Sequence, residues 1–298
     1  MLRMKKLTFV FILKVQVALL GLNGYCQALE IRHIKPASQI DQRNQYYLGL
    51  LSMALEKTRA LEGEFQLIES NVVMPQGRAL KELEKSSTLD IVWSMSTIER
   101  EEKLLPIRIP LLKGLLGYRV FIVRNEDNDK FKNIENLSQL KSLVAGQGHD
   151  WPDTLILKAN DLPVVTSPSY GGLFEMLNNL RFDYFPRGIQ EPWAEVASHA
   201  GMNIVVEGTL MLKYRAPIYF FVNVNNTALA DRLERGLRLA INDGSFDEHF
   251  YTSPVNRSVF ASGKMKGRKI FQLENPLLSA KTPLDDETLW FNDSELKN

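Results

Sequence analysis

Cysteine is almost missing from this chain of 298 residues: Cys26 is the only one, so no internal disulfide can form. Histidine is also scarce, and none of the four histidines belongs to an H-E-x-x-H motif. The chain has no G-x-S-x-G nucleophile elbow and no G-x-x-x-x-G-K-S/T phosphate loop. These absences predict a protein without a metal or another cofactor and without catalytic residues.

Charge of one sign is not in excess either. The chain has 36 Lys and Arg residues against 35 Asp and Glu residues, whereas a nucleic-acid-binding surface needs a clustered basic face. We therefore expect no nucleic-acid partner. A disulfide-free chain of this length holds its core by burial of apolar side chains, which suits one large domain or two α/β lobes of ordinary size.

Long apolar runs are confined to the N-terminus. Residues 1–6 carry three positive charges, residues 7–20 are mostly apolar, and residues 21–28 are small and polar. This is the pattern of a secretory signal peptide. We predict that residues 1–28 are a leader cleaved after Ala28 and that the mature protein is periplasmic.

Two alternatives would anchor the chain to a membrane. Lys14 interrupts the apolar run, and no later segment approaches the roughly 20 apolar residues that a spanning helix needs. Lipidation of Cys26 would make a lipoprotein, but the residue before it, Tyr25, is bulky where such signals have a small side chain. We expect neither kind of anchor.

Short apolar runs alternate with amphipathic stretches along the rest of the chain. The first half predicts a β-α-β-α-β unit with strands at 29–34, 65–69 and 89–93 and helices at 46–61 and 77–85. The second half repeats it with strands at 143–145, 164–165 and 182–185 and helices at 151–159 and 172–180. Two such units predict an α/β fold with two lobes, each built on a parallel sheet.

Two strand-like segments, Tyr118–Arg124 and Ala216–Val224, separate the units and predict two hinge crossings. The predicted division is lobe 1, residues 29–118 and 217–298, and lobe 2, residues 119–216. Ligands of such folds bind in the cleft between the lobes. The last stretch, residues 253–298, predicts an irregular tail packed on the first lobe.

A stretch of small and hydroxylated residues follows the third predicted strand and leads to Arg100. A guanidinium just beyond a strand end can clamp a small carboxylate through two parallel, charge-assisted hydrogen bonds. The alternative is a surface arginine that pairs with a neighbouring glutamate: Glu99, Glu101 or Glu102.

The same stretch, LDIVWSMSTIEREEKLLPIRIPL at 89–111, resembles the ligand-contacting segment of family 3 solute-binding proteins. In that family the arginine grips the ligand's carboxylate. Residues 228–246, which end in Asp-Gly-Ser-Phe, resemble the closing helix and turn of the same proteins. The resemblance implies a periplasmic binding protein fold of type II, with Arg100 as the main ligand residue and Ser94 and Thr97 beside it.

The second lobe has a matching segment, GQGHDWPDT at 146–154. Asp150 suits the N-cap of the following helix, with Asp153 three residues on. Backbone N–H groups at such a helix start favour an anionic or strongly polar group. We predict Gly148, His149 and Asp150 as ligand residues, and a well-capped turn is the alternative.

Residues 180–188, LRFDYFPRG, resemble the strand that leads to the cleft in the family. Amino-acid binders place an aspartate beyond this strand to hold the ligand's ammonium, whereas this chain has Arg187 there and Glu191 as the nearest acid. A buried ammonium without a carboxylate is unfavourable by several kcal/mol. Our hypothesis is that Arg187 and Arg100 face each other and suit a ligand with two acidic groups, with Glu191 also in the site.

Aromatic side chains supply apolar contact area with a polar handle in concave ligand sites. We choose Trp93 and Tyr170, because each lies where a predicted strand ends or a predicted helix begins. A place in the core is the alternative for both. The other candidates are Tyr47, Trp151 and Tyr184.

The resemblance implies a monomeric periplasmic protein that closes on a small polar, carboxylate-bearing ligand and delivers it to an inner-membrane ABC permease. A ligand-sensing module for a membrane receptor is one alternative. Another is an exported, dehydratase-like enzyme on the same fold, with Glu175 and Glu191 as acid and base if both face the cleft. The ligand itself, an amino acid, a dicarboxylate or a short peptide, stays open.

Overall fold

The computed structural model describes residues 28–35, 42–261 and 263–292. The predicted leader lies outside these residues except for Ala28, and so does Cys26. Within the described ranges, no helix is long and apolar enough to cross a membrane.

The first lobe has a parallel strand pair and a three-stranded sheet. The strands are β1 (Leu29–His33), β2 (Phe65–Glu69), β3 (Val92–Met95), β4 (Leu104–Ile107) and β11 (Ile218–Asn223), with β11 between β3 and β4. The helices of this lobe are α1 (Gln42–Glu62), α2 (Gln76–Glu84), α3 (Ile98–Lys103), α9 (Thr227–Asn242), α10 (Ser245–Thr252) and α11 (Pro254–Ala261).

The second lobe is built on one larger sheet in the order β12, β10, β5, β8, β6, β7, with β9 also paired to β5. Its strands are β5 (Tyr118–Arg124), β6 (Ala145–Gly148), β7 (Val164–Ser167), β8 (Tyr184–Gly188), β9 (Ile204–Val206), β10 (Leu210–Lys213) and β12 (Lys269–Gln272). Its helices are α4 (Asn128–Lys132), α5 (Leu137–Leu140), α6 (Pro152–Ala159), α7 (Tyr170–Asn178) and α8 (Pro192–Ser198).

Strand direction confirms the predicted α/β fold with two lobes. β1 pairs with β2, and β6 with β7 and β8, in parallel, as expected of strands joined by helical crossovers. The two crossing strands run the other way: β5 pairs antiparallel with β8, β9 and β10, and β11 with β3 and β4. The second-lobe sheet around β5 is therefore mixed, whereas the three-stranded sheet around β11 is antiparallel, and β1 and β2 form a separate parallel pair.

The two crossings touch each other between the lobes. Tyr214 N donates to Gly117 O at 3.1 Å. A Cβ atom at residue 117 would lie 1.8 Å from Tyr214 O, which no side chain tolerates. The contact between these two segments therefore requires glycine at this position.

The C-terminal tail does not pack on the first lobe alone, so that expectation is wrong. β12 pairs in parallel with β10 and forms an edge of the second-lobe sheet. The tail then returns, where Ile98 N donates to Leu277 O at 2.9 Å and Phe291 N to Lys113 O at 2.8 Å. The physical reason is that the β10 edge presents unpaired backbone groups, which a further strand satisfies.

Helices α1 and α9 pack closely in the core of the first lobe. Gly236 allows the approach, because a Cβ atom there would lie 2.0 Å from Ala54 O. Next to it, buried Arg232 donates to Gly63 O at 2.7 Å and Thr58 Oγ1 at 3.0 Å. The arginine thereby satisfies backbone carbonyl groups at the C-terminal end of α1.

Gly236→Ala should lower the free energy of unfolding by about 2 kcal/mol, since overpacking a tight contact costs about 1–3 kcal/mol. The sign of this change in stability is informative, because helix propensity alone would make the alanine variant more stable than glycine by about 1 kcal/mol. Urea denaturation measures the change. The control is Gly208→Ala, whose new Cβ meets nothing within 4 Å; equal midpoints for the two variants would contradict the close packing.

Candidate functional site

Arg100 lies in the first turn of α3, directly beyond β3. Thr97 is the N-cap of this helix, and its Oγ1 accepts a hydrogen bond from Arg100 N at 3.2 Å. The Arg100 side chain folds back over the strand end, where Nη1 donates to Ser94 Oγ at 2.6 Å and Met95 O at 2.8 Å. Ser94 and Thr97 therefore hold Arg100 in place.

The Arg100 guanidinium has neutral acceptors. Besides the two contacts to β3, its Nη2 donates to Gln76 Oε1 at 2.9 Å and to Asp150 O at 3.3 Å. Burial lowers the pKa of Arg100 to about 10, and the nearby carboxylates of Asp150 and Asp153 act against this shift. Arg100 is thus a charged, desolvated group at neutral pH, bonded by these contacts to no anion.

Two of the glutamates beside Arg100 in sequence have other partners. Glu99 pairs with Lys103 at 2.5 Å, and Glu101 pairs with Arg108 at 2.7 Å. Arg100 therefore forms no surface ion pair with Glu99 or Glu101, which was the alternative. Among the residues described here, no carboxylate forms an ion pair with Arg100.

Asp150 reaches from the second lobe to the first. Its Oδ2 accepts a hydrogen bond at 3.0 Å from Gly77 N, in the first turn of α2. The expectation that Asp150 caps α6 is wrong, because the N-cap of α6 is Trp151, without a side-chain cap. A carboxylate gains from the N–H groups of any nearby helix start. The N-cap of α2 is Pro75, which supplies no side-chain cap, and Asp150 takes that role.

A cavity of about 600 Å³ opens beside these groups, between α2, α3 and the start of α6. Thr97, Arg100, His149 and Asp150 line it, and Leu277 of the tail contributes to its wall. The His149 side chain is 56% exposed. The structure therefore brings four of the predicted site residues to one cavity at the contact between the lobes.

Gly148 has a structural explanation that needs no ligand. A Cβ atom there would lie 2.4 Å from the indole ring of Trp151. Gly148 O also accepts a hydrogen bond from Thr154 Oγ1 at 2.8 Å, within the first turn of α6. Glycine is thus required for the indole to fold over the end of β6.

A second charged cluster lies at the end of β8. Arg187 bonds Glu195 at 2.7 Å and Glu191 at 3.0 Å, and its guanidinium carbon lies 5.0 Å from the centroid of the Trp151 ring. Arg43, on α1 of the first lobe, reaches Glu191 at 2.6 Å. The cluster therefore joins both lobes.

Arg187 is consequently not a free cation. Its pairs with Glu191 and Glu195 do not favour the hypothesis of a ligand with two acidic groups, which needs Arg187 to bind an acid of the ligand. The reason for these pairs is the four-residue spacing of Arg187, Glu191 and Glu195, which the turn into α8 brings together. Whether Arg187 or Glu191 also touches a ligand stays a prediction.

Burial alone would raise the pKa of Glu191, but three arginines outweigh it. The charges of Arg187, Arg43 and Arg119, with the N–H of Gly188, lower this pKa to about 2. Glu191 is therefore held as a carboxylate. This is the opposite of a general acid, which needs a raised pKa.

The two aromatic candidates lie in different surroundings. Trp93 is buried in the first-lobe core, stacked on Tyr47 with 5.5 Å between ring centroids and edge-on to Phe220. Tyr170 is 39% exposed, and its hydroxyl donates to Glu195 Oε1 at 2.7 Å. Tyr170 therefore belongs to the second cluster, and Trp93 packs as a core residue.

Several site residues escaped the sequence analysis: Arg43, Gln76, Gly77, Arg119, Asp153 and Glu195. Buried Asp153 binds Arg119 at 2.6 Å and accepts from the Tyr214 hydroxyl, which ties α6 to the hinge. The Arg187-x-x-x-Glu191-x-x-x-Glu195 spacing was a signal for Glu195, whereas nothing local signals Gly77. Within the described part of the chain, no group of three His, Cys, Asp or Glu residues could hold a metal ion.

Solved structures of binding proteins share this architecture. An ancestral arginine-binding protein bound to arginine is 15% identical, with a TM-score of 0.55 over 76% of this chain and 98% of that one. A lysine-complexed binding component of an ABC transporter from Wolinella succinogenes is 16% identical, with a TM-score of 0.53 over 74% and 94%. The likeness shows the two-lobed fold of periplasmic binding proteins.

The same fold occurs outside transport. A histidine kinase sensor domain with similarity to periplasmic binding proteins is 13% identical, with a TM-score of 0.52 over 76% of this chain and 96% of that one. No protein-family model matches the chain, and no curated protein sequence matches it.

Glu191→Gln should lower the free energy of unfolding at pH 7 by about 3 kcal/mol, because it leaves Arg187 and Arg43 without a full partner. The folded pKa near 2 lies below the ordinary value of 4.5. The contribution of Glu191 is therefore present above about pH 4.5 and is lost as the pH falls towards 2.

Urea unfolding of wild type and Glu191→Gln between pH 7 and 2.5 tests this prediction. The difference between them should shrink as the pH falls. The control is Glu234→Gln, which removes only an exposed pair with Arg238 and should change stability by less than about 0.5 kcal/mol. A difference that does not vary with pH would show that Glu191 is not held ionised.

Proposed function

We propose that this protein is a periplasmic solute-binding protein that captures a small polar ligand bearing a carboxylate and delivers it to a membrane importer. The observation that supports this is the Arg100 guanidinium, a desolvated cation with neutral acceptors at the lobe contact. A partly buried charge without an opposite partner is unfavourable. A ligand carboxylate would supply that partner.

The first-lobe side of the site has more than one donor for an anion. Gly77 N lies at the start of α2, and the preceding residue, Gln76, accepts a hydrogen bond from Arg100 with its side chain. A guanidinium and a helix-start N–H together suit the oxygens of one carboxylate. Ser94 Oγ and Met95 O fix the direction of the guanidinium, so little side-chain entropy is lost on binding.

Ligand contacts from both lobes would favour the closed arrangement, because only a difference in affinity between open and closed forms shifts their equilibrium. Arg100 belongs to the first lobe and His149 to the second, and both line the same cavity. The touching crossings at Gly117 and Tyr214 supply the hinge.

The fold neighbours guide the choice of ligands. Their described ligands include arginine, glutamine and lysine. Arg187 is neutralised by Glu191 and Glu195, so nothing in the second cluster calls for a second acidic group. Amino acids therefore enter the screen on equal terms with mono- and dicarboxylates and short peptides.

Two other functions share the fold. A sensor that reports ligand binding to a membrane receptor has the same cleft, and a histidine kinase sensor domain with this architecture supports that alternative. A dehydratase-like enzyme is less well supported, because Glu175 is exposed and Glu191 has a lowered pKa. Turnover of a bound ligand would identify an enzyme.

Arg100→Ala should abolish ligand stabilisation. In a thermal-shift screen, a ligand at 100 times its dissociation constant adds about 2.7 kcal/mol to the wild type and raises its Tm by several degrees. We expect no shift in Arg100→Ala, since the carboxylate loses its guanidinium. Arg238→Ala, which removes an exposed arginine paired with Glu234, is the matched control and should respond like the wild type.

The outcomes separate clearly. A hit that shifts both arginine variants equally would show that Arg100 does not bind the carboxylate. The absence of any hit for the wild type would count against a small-molecule ligand altogether. Arg100→Lys distinguishes shape from charge: it keeps the charge but not the planar fork, and we expect binding at least tenfold weaker than in wild type.

A further inference from the structure

The Asp150 segment already covers the groups that the proposed ligand would use. Its carboxylate Oδ2 takes the Gly77 N–H at 3.0 Å, and its backbone carbonyl takes one Arg100 Nη2 proton at 3.3 Å. Both donors belong to the first lobe, and the acceptors belong to the second. One residue thus stands where an incoming carboxylate would have to bind.

We propose that Asp150 is an internal competitor for the ligand's carboxylate. In the ligand-free protein it closes the second lobe onto Gly77 and Arg100, and an incoming carboxylate displaces it. This inference rests on the proposed function for its ligand-binding part, whereas the contact between the lobes can be tested without any ligand.

The Asp150 carboxylate does not cap the helix that follows it in its own lobe. The α6 helix begins without a side-chain cap, so its start does not hold the Asp150 carboxylate. The α2 helix has no cap of its own at Pro75. The carboxylate of Asp150 is therefore the cap of a helix in the opposite lobe, and a cap can be exchanged for another anion.

The residue that receives Asp150 is a glycine, and a side chain there would meet the carboxylate. A Cβ atom on Gly77 would lie 2.9 Å from Asp150 Oδ2 and 3.6 Å from Asp150 Cβ. A methyl group there would force the carboxylate away while leaving every charge in place. The side chain of Asp150 is 24% exposed, so a ligand entering from the cavity can reach the contact.

The contact has a consequence for specificity. A ligand carboxylate replaces an interaction that already exists, so only the surplus over the Asp150 contact contributes to affinity. The oxygen of a neutral ligand can also accept from Gly77 N, but this bond is weaker than that of the carboxylate it would displace, so a neutral ligand gains nothing from the exchange. Asp150 therefore raises the selectivity of the cleft for acids while it lowers their affinity.

The first test uses the mature chain without ligand. Asp150→Asn removes the charge, and Gly77→Ala moves the carboxylate by steric contact. We expect both variants to have a larger radius of gyration by small-angle scattering and at least tenfold faster amide exchange at the start of α2. The matched controls, Asp161→Asn on an exposed turn and Gly171→Ala with an unobstructed Cβ, should match the wild type.

The second test measures affinity for the carboxylate hits of the thermal-shift screen. Asp150→Asn and Gly77→Ala should bind them about five- to tenfold more tightly, the size of one net hydrogen bond. The corresponding carboxamides should show no such gain.

Two results overturn the inference: unchanged scattering and exchange in both variants, or weaker carboxylate binding by Asp150→Asn, which would make Asp150 a direct ligand contact. If the wild type binds no ligand, the proposed function fails, and the ligand-free measurements still decide whether Asp150 holds the lobes together.

Discussion

Charges that leave water where two lobes meet need partners, and this requirement organises the contact. The second lobe contributes two arginines and three carboxylates, namely Arg119, Arg187, Asp153, Glu191 and Glu195. One carboxylate is in excess. Arg43 of the first lobe supplies the balancing charge at 2.6 Å from Glu191. The cluster is therefore complete only when both lobes are present and in contact.

Arg100 is the opposite case on the same contact. Its hydrogen bonds go to a hydroxyl, an amide and two carbonyl oxygens, one of which is the backbone oxygen of the acidic residue Asp150. Arg187 has its acidic partners within the chain, whereas Arg100 has neutral acceptors. Position in the sequence alone does not make this distinction, because Arg187 lies near the end of β8 and Arg100 just beyond β3.

Sequence patterns predicted the main elements and the candidate arginine. Helical and strand periodicity predicts most elements to within a few residues of their bounds, because burial of one face gives the apolar residues a regular spacing. Contacts between segments that are far apart in sequence produce no such regular spacing. The sequence predicts that Asp150 caps α6, the helix that follows it. In the folded chain α2 lies close to Asp150, and Asp150 caps α2 instead. Lys269–Gln272 reads as tail, and only the free edge of β10 makes it a strand.

The position of β12 also affects how the molecule is assembled. Leu210–Lys213 (β10) pairs with residues 269–272 (β12) at the edge of the second-lobe sheet. The chain between these two strands forms β11 and three helices of the first lobe. During synthesis the second sheet therefore acquires this edge strand only after those first-lobe segments have emerged. Pairings of such long sequence separation form late and slowly. The two lobes are thus linked in the order of their folding as well as by their contact.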